Sequence, residues 1–366
     1  MPGRLVVAKI GTSSLTDERG GIVDAAIDKL CAEVWSLRES GDRVVVVTSG
    51  AIAAGLPVLG LADARPSDPA VLQAVSAVGQ AHLVDRYNRA LAAHGLVAGQ
   101  VLLAPLDFVN RKQYLHARQT LQVLLDLGVV PVVNENDAVA DDEIRFGDND
   151  RLAALVSHLL TADLLVLLTD QAGLMTADPR FGEQASLIEE IVAVDHSLEA
   201  MAGGTGTARG SGGMASKLAA AKIAAWSGVR AVIAAASRPE VLADALAGTP
   251  GVGTVFVPRS VRLPARKLWI AFAVGASGTV VVDDGARSAL TLRGVSLLPA
   301  GVVSVEGDFD ADDAVELAGP DGKVFAKGLV RHPAAVVRAL AGRRSADLPP
   351  DTAAEVVHRD DLVILP

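Results

Sequence analysis

A single cysteine stands among the 366 residues, so no internal disulfide framework can be built. Cys31 falls in a helical apolar pattern with Ile27, Leu30, Val34 and Leu37, the setting of a core side chain rather than a nucleophile. No apolar stretch reaches the roughly 18 uninterrupted residues of a membrane-spanning helix, and the N-terminus runs straight into a strand. A soluble cytoplasmic protein with no membrane partner is expected. Basic charge is scarce: 33 Lys and Arg face 43 Asp and Glu, a formal net charge of −10. That balance argues against general binding of nucleic acid, so any basic site must be local. The seven histidines are scattered without metal-ligand spacing. Missing too are an internal repeat, a low-complexity tract and the G-x-x-x-x-G-K-[ST] spacing of a Walker-type phosphate loop.

What is present is apolar residue: hydrophobic side chains make up 50% of the chain, enough for a sizeable core in two domains, one large and one small. Strand-like runs at Leu5 to Ile10, Val44 to Val47, Leu96 to Leu103, Leu164 to Leu168, Ala231 to Ala235 and Val252 to Val257 alternate with helical patterns. Among these patterns, Asp24 to Ser40 has Asp24 as N-cap and Gly41 as stop, and Ala70 to Ala93 reads as a helix interrupted near Gly79. A helix from Leu115 to Leu127 leads into the apolar run Leu124 to Val133, read as a buried strand ending at Asn134. Such alternation predicts an α/β fold, a mostly parallel open sheet covered by helices on both faces. This first domain is expected over residues 1–258. A connecting segment, 259–274, carries Pro264 and four basic residues. Period-two runs separated by glycine and Asp turns then predict a small mostly-β domain over 275–366. From Pro264 onward 11 Lys and Arg meet 14 Asp and Glu, no excess with which to grip a phosphate backbone.

Polar chemistry gathers where the predicted strands end, the place at which open α/β sheets bind ligands. The stretch Pro131 to Arg151, PVVNENDAVADDEIRFGDNDR, offers carboxamides at Asn134 and Asn149 and carboxylates at Asp137, Asp148 and Asp150. Such a mixture suits a zwitterion, or equally a solvated loop with Asp150 as the cap of the next helix. Lys9 precedes Gly11, Thr12, Ser13 and Ser14, a turn able to wrap an anion. Thr48, Ser49 and Gly50 end one strand, and Thr169 and Asp170 end another. Each is weak alone. Gly203 to Lys217, GGTGTARGSGGMASK, places six glycines before a helical pattern, with Lys217 in its first turn. Glycines there allow a phosphate chain to meet free N–H groups; the alternative is a flexible surface linker, which does not need a Lys one helical step after the glycines.

Taken in order, LVVAKIGTSSLT, VVVVTSGAIAAG, PVVNENDAV, FGDNDRLAALV, LLTDQAGL and GSGGMASK resemble the amino-acid kinase superfamily and, within it, the glutamate 5-kinases. The trailing β domain resembles a PUA domain. The resemblance implies transfer of the γ-phosphoryl group of ATP to the side-chain carboxylate of L-glutamate, with Mg²⁺, self-association to a dimer or tetramer, and inhibition by proline. It also assigns roles. Lys9 and Lys217 match phosphate-binding lysines and Asp150 the carboxylate that orients them. Ser49, Asp137 and Asn149 match acceptor-binding positions, with Asn134 nearby. Gly11, Thr169, Asp170, Ser211, Gly212, Gly213, Met214, Ala215, Ser216 and Lys217 match the ATP-binding segments. Ser216 stands where the family usually has Thr, and Arg209 and Ser211 vary the lead-in.

Phosphoryl transfer to a carboxylate needs positioning and charge neutralisation more than a base, because the acceptor is already ionised at neutral pH. A free α-ammonium calls for a carboxylate, and Asp137 is the chosen partner; Ser49 and Asn149 are placed to donate to acceptor carboxylates. That choice favours a free amino acid over its acetylated analogue. Aspartate, N-acetylglutamate and carbamate are the alternative acceptors. An RNA-binding or regulatory protein that uses the kinase fold as a nucleotide sensor has only the fold analogy of the β domain behind it; regulation or assembly is that domain's expected job.

Overall fold

The computed structural model describes residues 3–104, 106–139, 149–176, 185–192, 198, 213–260, 262–272, 275–344 and 354–365. The chain divides into two compact units, Met1–Arg262 and Leu263–Pro366. Among the described residues no helix is long and apolar enough to cross a membrane.

Eight strands form the sheet of the first unit: β1 (Leu5–Ile10), β2 (Arg43–Val47), β3 (Ala98–Leu103), β4 (Val130–Glu135), β5 (Leu164–Thr169), β6 (Glu190–Ile191), β7 (Arg230–Ala235) and β8 (Thr254–Phe256). Their order is β3-β4-β2-β1-β5-β7-β8-β6, with every neighbouring pair parallel except β7 and β8. The central strands β1, β4 and β5 are buried at every residue, which explains their continuous apolar runs.

Short helix α1 (Thr12–Leu15) leads to α2 (Asp24–Glu39), α3 (Ala51–Val58) and α4 (Pro69–Ala92). Helices α2, α3 and α4 pack on one face of the sheet through Ile27, Leu30, Cys31, Val34, Ala51, Ala54, Leu83 and Tyr87. Burial pushes the Cys31 thiol up to about 12, so it stays a neutral core group, as its sequence setting implies. Two further helices follow β3, α5 (Leu106–Val109) and α6 (Arg111–Asp126). The opposite face carries α7 (Asn149–Leu160) and α8 (Met214–Trp226), which pack against each other.

Several boundaries differ from the sequence expectation, three of them in helices α2, α4 and α6. Leu124 and Leu125 belong to α6, and a turn at Gly128, φ +80°, separates them from β4; an apolar run does not by itself distinguish helix from strand. Val23, not Asp24, is the N-cap of α2. Helix α4 runs unbroken through Gly79, started by Pro69 and by the Asp68 carboxylate, which accepts from the Ala70 and Val71 N–H groups. Gly79 is there for contact: a Cβ at Gly79 would overlap the Ala51 carbonyl oxygen, and one at Gly55 would overlap that of Val75. Two glycines thus let α3 and α4 touch backbone to backbone.

The last helix of the first unit is α9 (Val241–Ala247). In the second unit, α10 (Ala265–Phe272) occupies part of the expected connecting segment. A five-stranded sheet follows, built from β9 (Gly278–Val282), β10 (Val302–Gly307), β11 (Ala314–Ala318), β12 (Val324–Val330) and β13 (Val357–Ile364) in the order β10-β9-β11-β12-β13. Helices α11 (Asp284–Arg293) and α12 (Ala334–Leu340) accompany it, and Val280, Val282, Leu290, Val315, Leu317 and Val337 form its core.

Candidate active site

Strand register brings the separated motifs to one edge. Lys9 pairs with Val47 on one side and Leu167 on the other, and Val47 pairs with Val133. Ser49, Asn134 and Thr169, each one or two residues beyond that line, therefore project from the carboxyl ends of adjacent strands. Helix α7 then begins with Asn149 and Asp150, beneath the strand ends.

Lys9, Asp150 and Lys217 meet. The Lys9 ammonium is ion-paired with Asp150 Oδ1, and Lys217 Nζ lies 3.2 Å from Oδ2. All three are buried, Asp150 at 0% exposure. Ser216 Oγ donates to Oδ2 across 2.7 Å. Asp150 sits inside the first turn of α7, so it is not the helix cap that the sequence also allowed. Burial alone would raise its pKa. The Lys9 and Lys217 charges and the hydrogen bonds outweigh that and hold the carboxyl well below the usual carboxylate range. Two flexible ammoniums are thus held by one fixed anion, side by side at the mouth of a sheet.

The acceptor-side candidates stand beside this trio. Asn134 is buried; its Oδ1 accepts from the Glu135 N–H at 2.9 Å. Asn149 Oδ1 accepts from the same N–H at 3.2 Å, tying the start of α7 to the end of β4. Asp137 opens a single 3₁₀ turn, Asp137–Val139, and accepts from Ser76 Oγ at 2.5 Å. Burial raises its pKa, more than the Ser76 hydrogen bond lowers it. Ser49 is half-buried, followed by Gly50 at φ +101°.

Of the nucleotide-side candidates, Gly11 caps α1 and lies near the Lys9 ammonium. Gly213 caps α8, and Met214, Ala215, Ser216 and Lys217 form its first turn. Thr169 is buried, with Asp170 exposed beside it. Ser211, Gly212 and Asp148 lie outside the described residues. A cavity of about 320 Å³ adjoins Thr169 and Asp170, lined also by Ile10, Ser14, Lys29 and Glu33. It opens toward α2, the sheet face away from Lys9, as strand alternation between Lys9 and Ile10 requires.

The amino acid kinase family profile matches residues 4–235, more than half of the chain. The chain belongs to the amino acid kinase family. Within that family, it is 44% identical over 366 residues to the glutamate 5-kinase of Trichlorobacter lovleyi, covering 99% of this chain and 97% of that one. Identity to the glutamate 5-kinase of Frankia casuarinae is 49% over 368 residues, covering 99% and 97%. A PUA domain profile matches residues 278–349, within the second unit. Carbamate kinase from Giardia lamblia bound to AMP-PNP superposes with a TM-score of 0.50 at 17% identity, covering 70% of this chain and 99% of that chain. That likeness shows the fold alone.

Sequence reasoning missed part of this candidate site. Ser76 and Gln80 on α4 bond Asp137 and Asn134, and Tyr87 bonds Thr48. A signal was present, since polar residues recur at helical spacing within the apolar stretch VLQAVSAVGQAHLV. Ser216 was singled out for the nucleotide, whereas its hydroxyl also ties the two helix starts together through Asp150.

Proposed function

We propose that this kinase transfers the γ-phosphoryl group of ATP to the side-chain carboxylate of L-glutamate, giving L-glutamyl 5-phosphate, the first step of proline synthesis in the cytoplasm. The observation that carries this reading is the shared carboxylate: Lys9 from the first strand and Lys217 from a late helix both rest on buried Asp150. The names of the relatives support the choice of acceptor.

In the reaction a side-chain carboxylate oxygen attacks the γ-phosphorus, the bond to the β,γ-bridging oxygen breaks, and ADP leaves with the electron pair. Both reactants are anions, so the barrier is chiefly electrostatic and positional. Lys9 and Lys217 are the groups that neutralise charge on the transferring phosphoryl oxygens. Asp150 fixes their directions beforehand, so little reorganisation is left for the reaction itself. The segment Gly213 to Lys217, with Gly11, Thr169 and Asp170, holds the nucleotide. Mg²⁺ would arrive with ATP and neutralise phosphate charge. A cation that keeps several waters and rests mainly on phosphate oxygens would need few dedicated protein ligands.

On the acceptor side, Asp137 pairs with the α-ammonium, while Ser49, Asn134 and Asn149 serve the carboxylates. Inhibition by proline and self-association complete the reading. The test is ATP-dependent acyl-phosphate formation with Mg²⁺, trapped by hydroxylamine, with L-glutamate, N-acetyl-L-glutamate and L-aspartate offered in parallel. Strong preference for L-glutamate is expected. Equal use of N-acetyl-L-glutamate would contradict the role of Asp137.

A further inference from the structure

We infer that one stripe of α4 is the ledge on which the acceptor site is built, with Ser76 and Gln80 as positioning residues that set acceptor affinity and selectivity. The inference rests on the acceptor assignment proposed above and deepens it.

Helix α4 meets the acceptor-side segments at the ends of β2 and β4 in turn. Ser76 Oγ donates to Asp137 Oδ2 at 2.5 Å. Gly79 lies against the Ala51 carbonyl, two residues beyond Ser49. Gln80 Oε1 accepts from Asn134 Nδ2 at 2.7 Å. The Tyr87 hydroxyl lies 2.8 Å from Thr48 Oγ1, next to Ser49. Positions 76, 79, 80 and 87 share one face of a helix. Segments at the ends of two different strands, β2 and β4, are therefore referred to one rigid element. Rigid reference matters here because small misplacements of a bound reactant are costly in rate.

The two carboxamides are oriented as well as held. The Glu135 N–H donates to Asn134 Oδ1 at 2.9 Å, the shorter of its two side-chain acceptors, which turns that oxygen toward it. Asn134 Nδ2 must then face Gln80, and this fixes Gln80 Oε1 as acceptor. Both side chains are buried, Ser76 at 3% and Gln80 at 7% exposure. Gln80 Nε2 is left as a buried donor with no partner among the described residues. A buried donor of this kind stabilises an arriving carboxylate oxygen more than it would in water. The division of labour follows: Ser76 acts through Asp137 on the ammonium, and Gln80, through Asn134 and its own free N–H, acts on a carboxylate.

The test compares wild type, Ser76→Ala and Gln80→Leu with two acceptors, L-glutamate and glutarate, which lacks the ammonium; glutarate is read as substrate or as competitive inhibitor. Ser76→Ala is expected to raise KM for L-glutamate about ten-fold, the size of a hydrogen bond to a charged group. KM for ATP, kcat at saturation and the glutarate constant should stay within about two-fold of wild type, so selectivity collapses while the fold and chemistry survive. Gln80→Leu should weaken both acceptors alike. If Gln80→Leu fails to fold, Ser76→Ala still decides the matter. An unchanged KM for L-glutamate in Ser76→Ala, or an equal loss for both acceptors, would overturn the inference. A wild type that forms no product from L-glutamate would instead overturn the acceptor assignment, and the inference with it.

Discussion

Ser216 and Asp150, on helices α8 and α7, are joined by a 2.7 Å hydrogen bond from the serine hydroxyl to the carboxylate oxygen that Lys217 also approaches. The start of one helix is thus locked to the start of another at the point where two lysines converge. Ser216→Ala should cost about 1.5–3 kcal/mol of that arrangement, a bond to a charged group. A roughly ten-fold or greater fall in kcat is expected with little change in KM for L-glutamate. Ser216→Thr keeps the hydroxyl and should retain most activity. Steady-state kinetics of the two variants, side by side, check this.

Asp150 is also a stability element with a defined pH signature. Its folded pKa is depressed, so its contribution is fully present above the unfolded value, about 3.9, and is lost as pH falls through the lower folded value. Asp150→Asn removes the anion that two buried ammoniums share and should cost about 3–5 kcal/mol at neutral pH. Urea unfolding from pH 7 downward should show the gap between wild type and variant narrowing below about pH 4. A gap that does not change with pH would contradict the ion-pair account.

Asp137 should impose an acid limb on acceptor binding. Burial raises its pKa above the usual carboxylate value, and only its ionised form pairs with an ammonium. As pH falls through that value the site neutralises, so KM for L-glutamate rises. The substrate's own side chain adds a separate acid limb at roughly 4.3. In Asp137→Asn only the substrate's limb should remain, on a KM already raised. Profiles of kcat/KM against pH for both proteins make the comparison.

Gly79→Ala would be a stabilising change in an ordinary exposed helix. Here the added methyl has no room beside the Ala51 carbonyl oxygen, so α3 and α4 must part. A loss of about 1–3 kcal/mol is expected from overpacking. Because Ser49 precedes α3, KM for L-glutamate should rise in the same variant. Thermal unfolding and kinetics on one preparation test both effects together.

Much of this was legible in the chain. Alternating apolar runs carried the sheet; Lys9 and Lys217 stood out as charges beside glycine-bearing turns, while the role of Asp150 came from the family resemblance. What sequence reading lost depends on partners it could not see. Gly79 looked like a break because a helix glycine usually weakens the helix, while its value here comes from a neighbour's backbone. Leu124 and Val130 lie in one apolar run, yet the left-handed turn at Gly128 assigns them to different elements. Ser76 and Gln80 carry no motif, since their chemistry exists only once Asp137 and Asn134 arrive from another strand end.

The central claim is that an oxygen of the acceptor's side-chain carboxylate becomes bonded to phosphorus. L-Glutamate labelled with ¹⁸O in that carboxylate, incubated with ATP and Mg²⁺ and then treated with hydroxylamine, tests it directly. Hydroxylamine attacks the acyl carbon and releases phosphate that keeps the bridging oxygen, so the ³¹P spectrum should show phosphate carrying one ¹⁸O. Phosphate released without label would mean that water or another group had accepted the phosphoryl group, and would contradict the account.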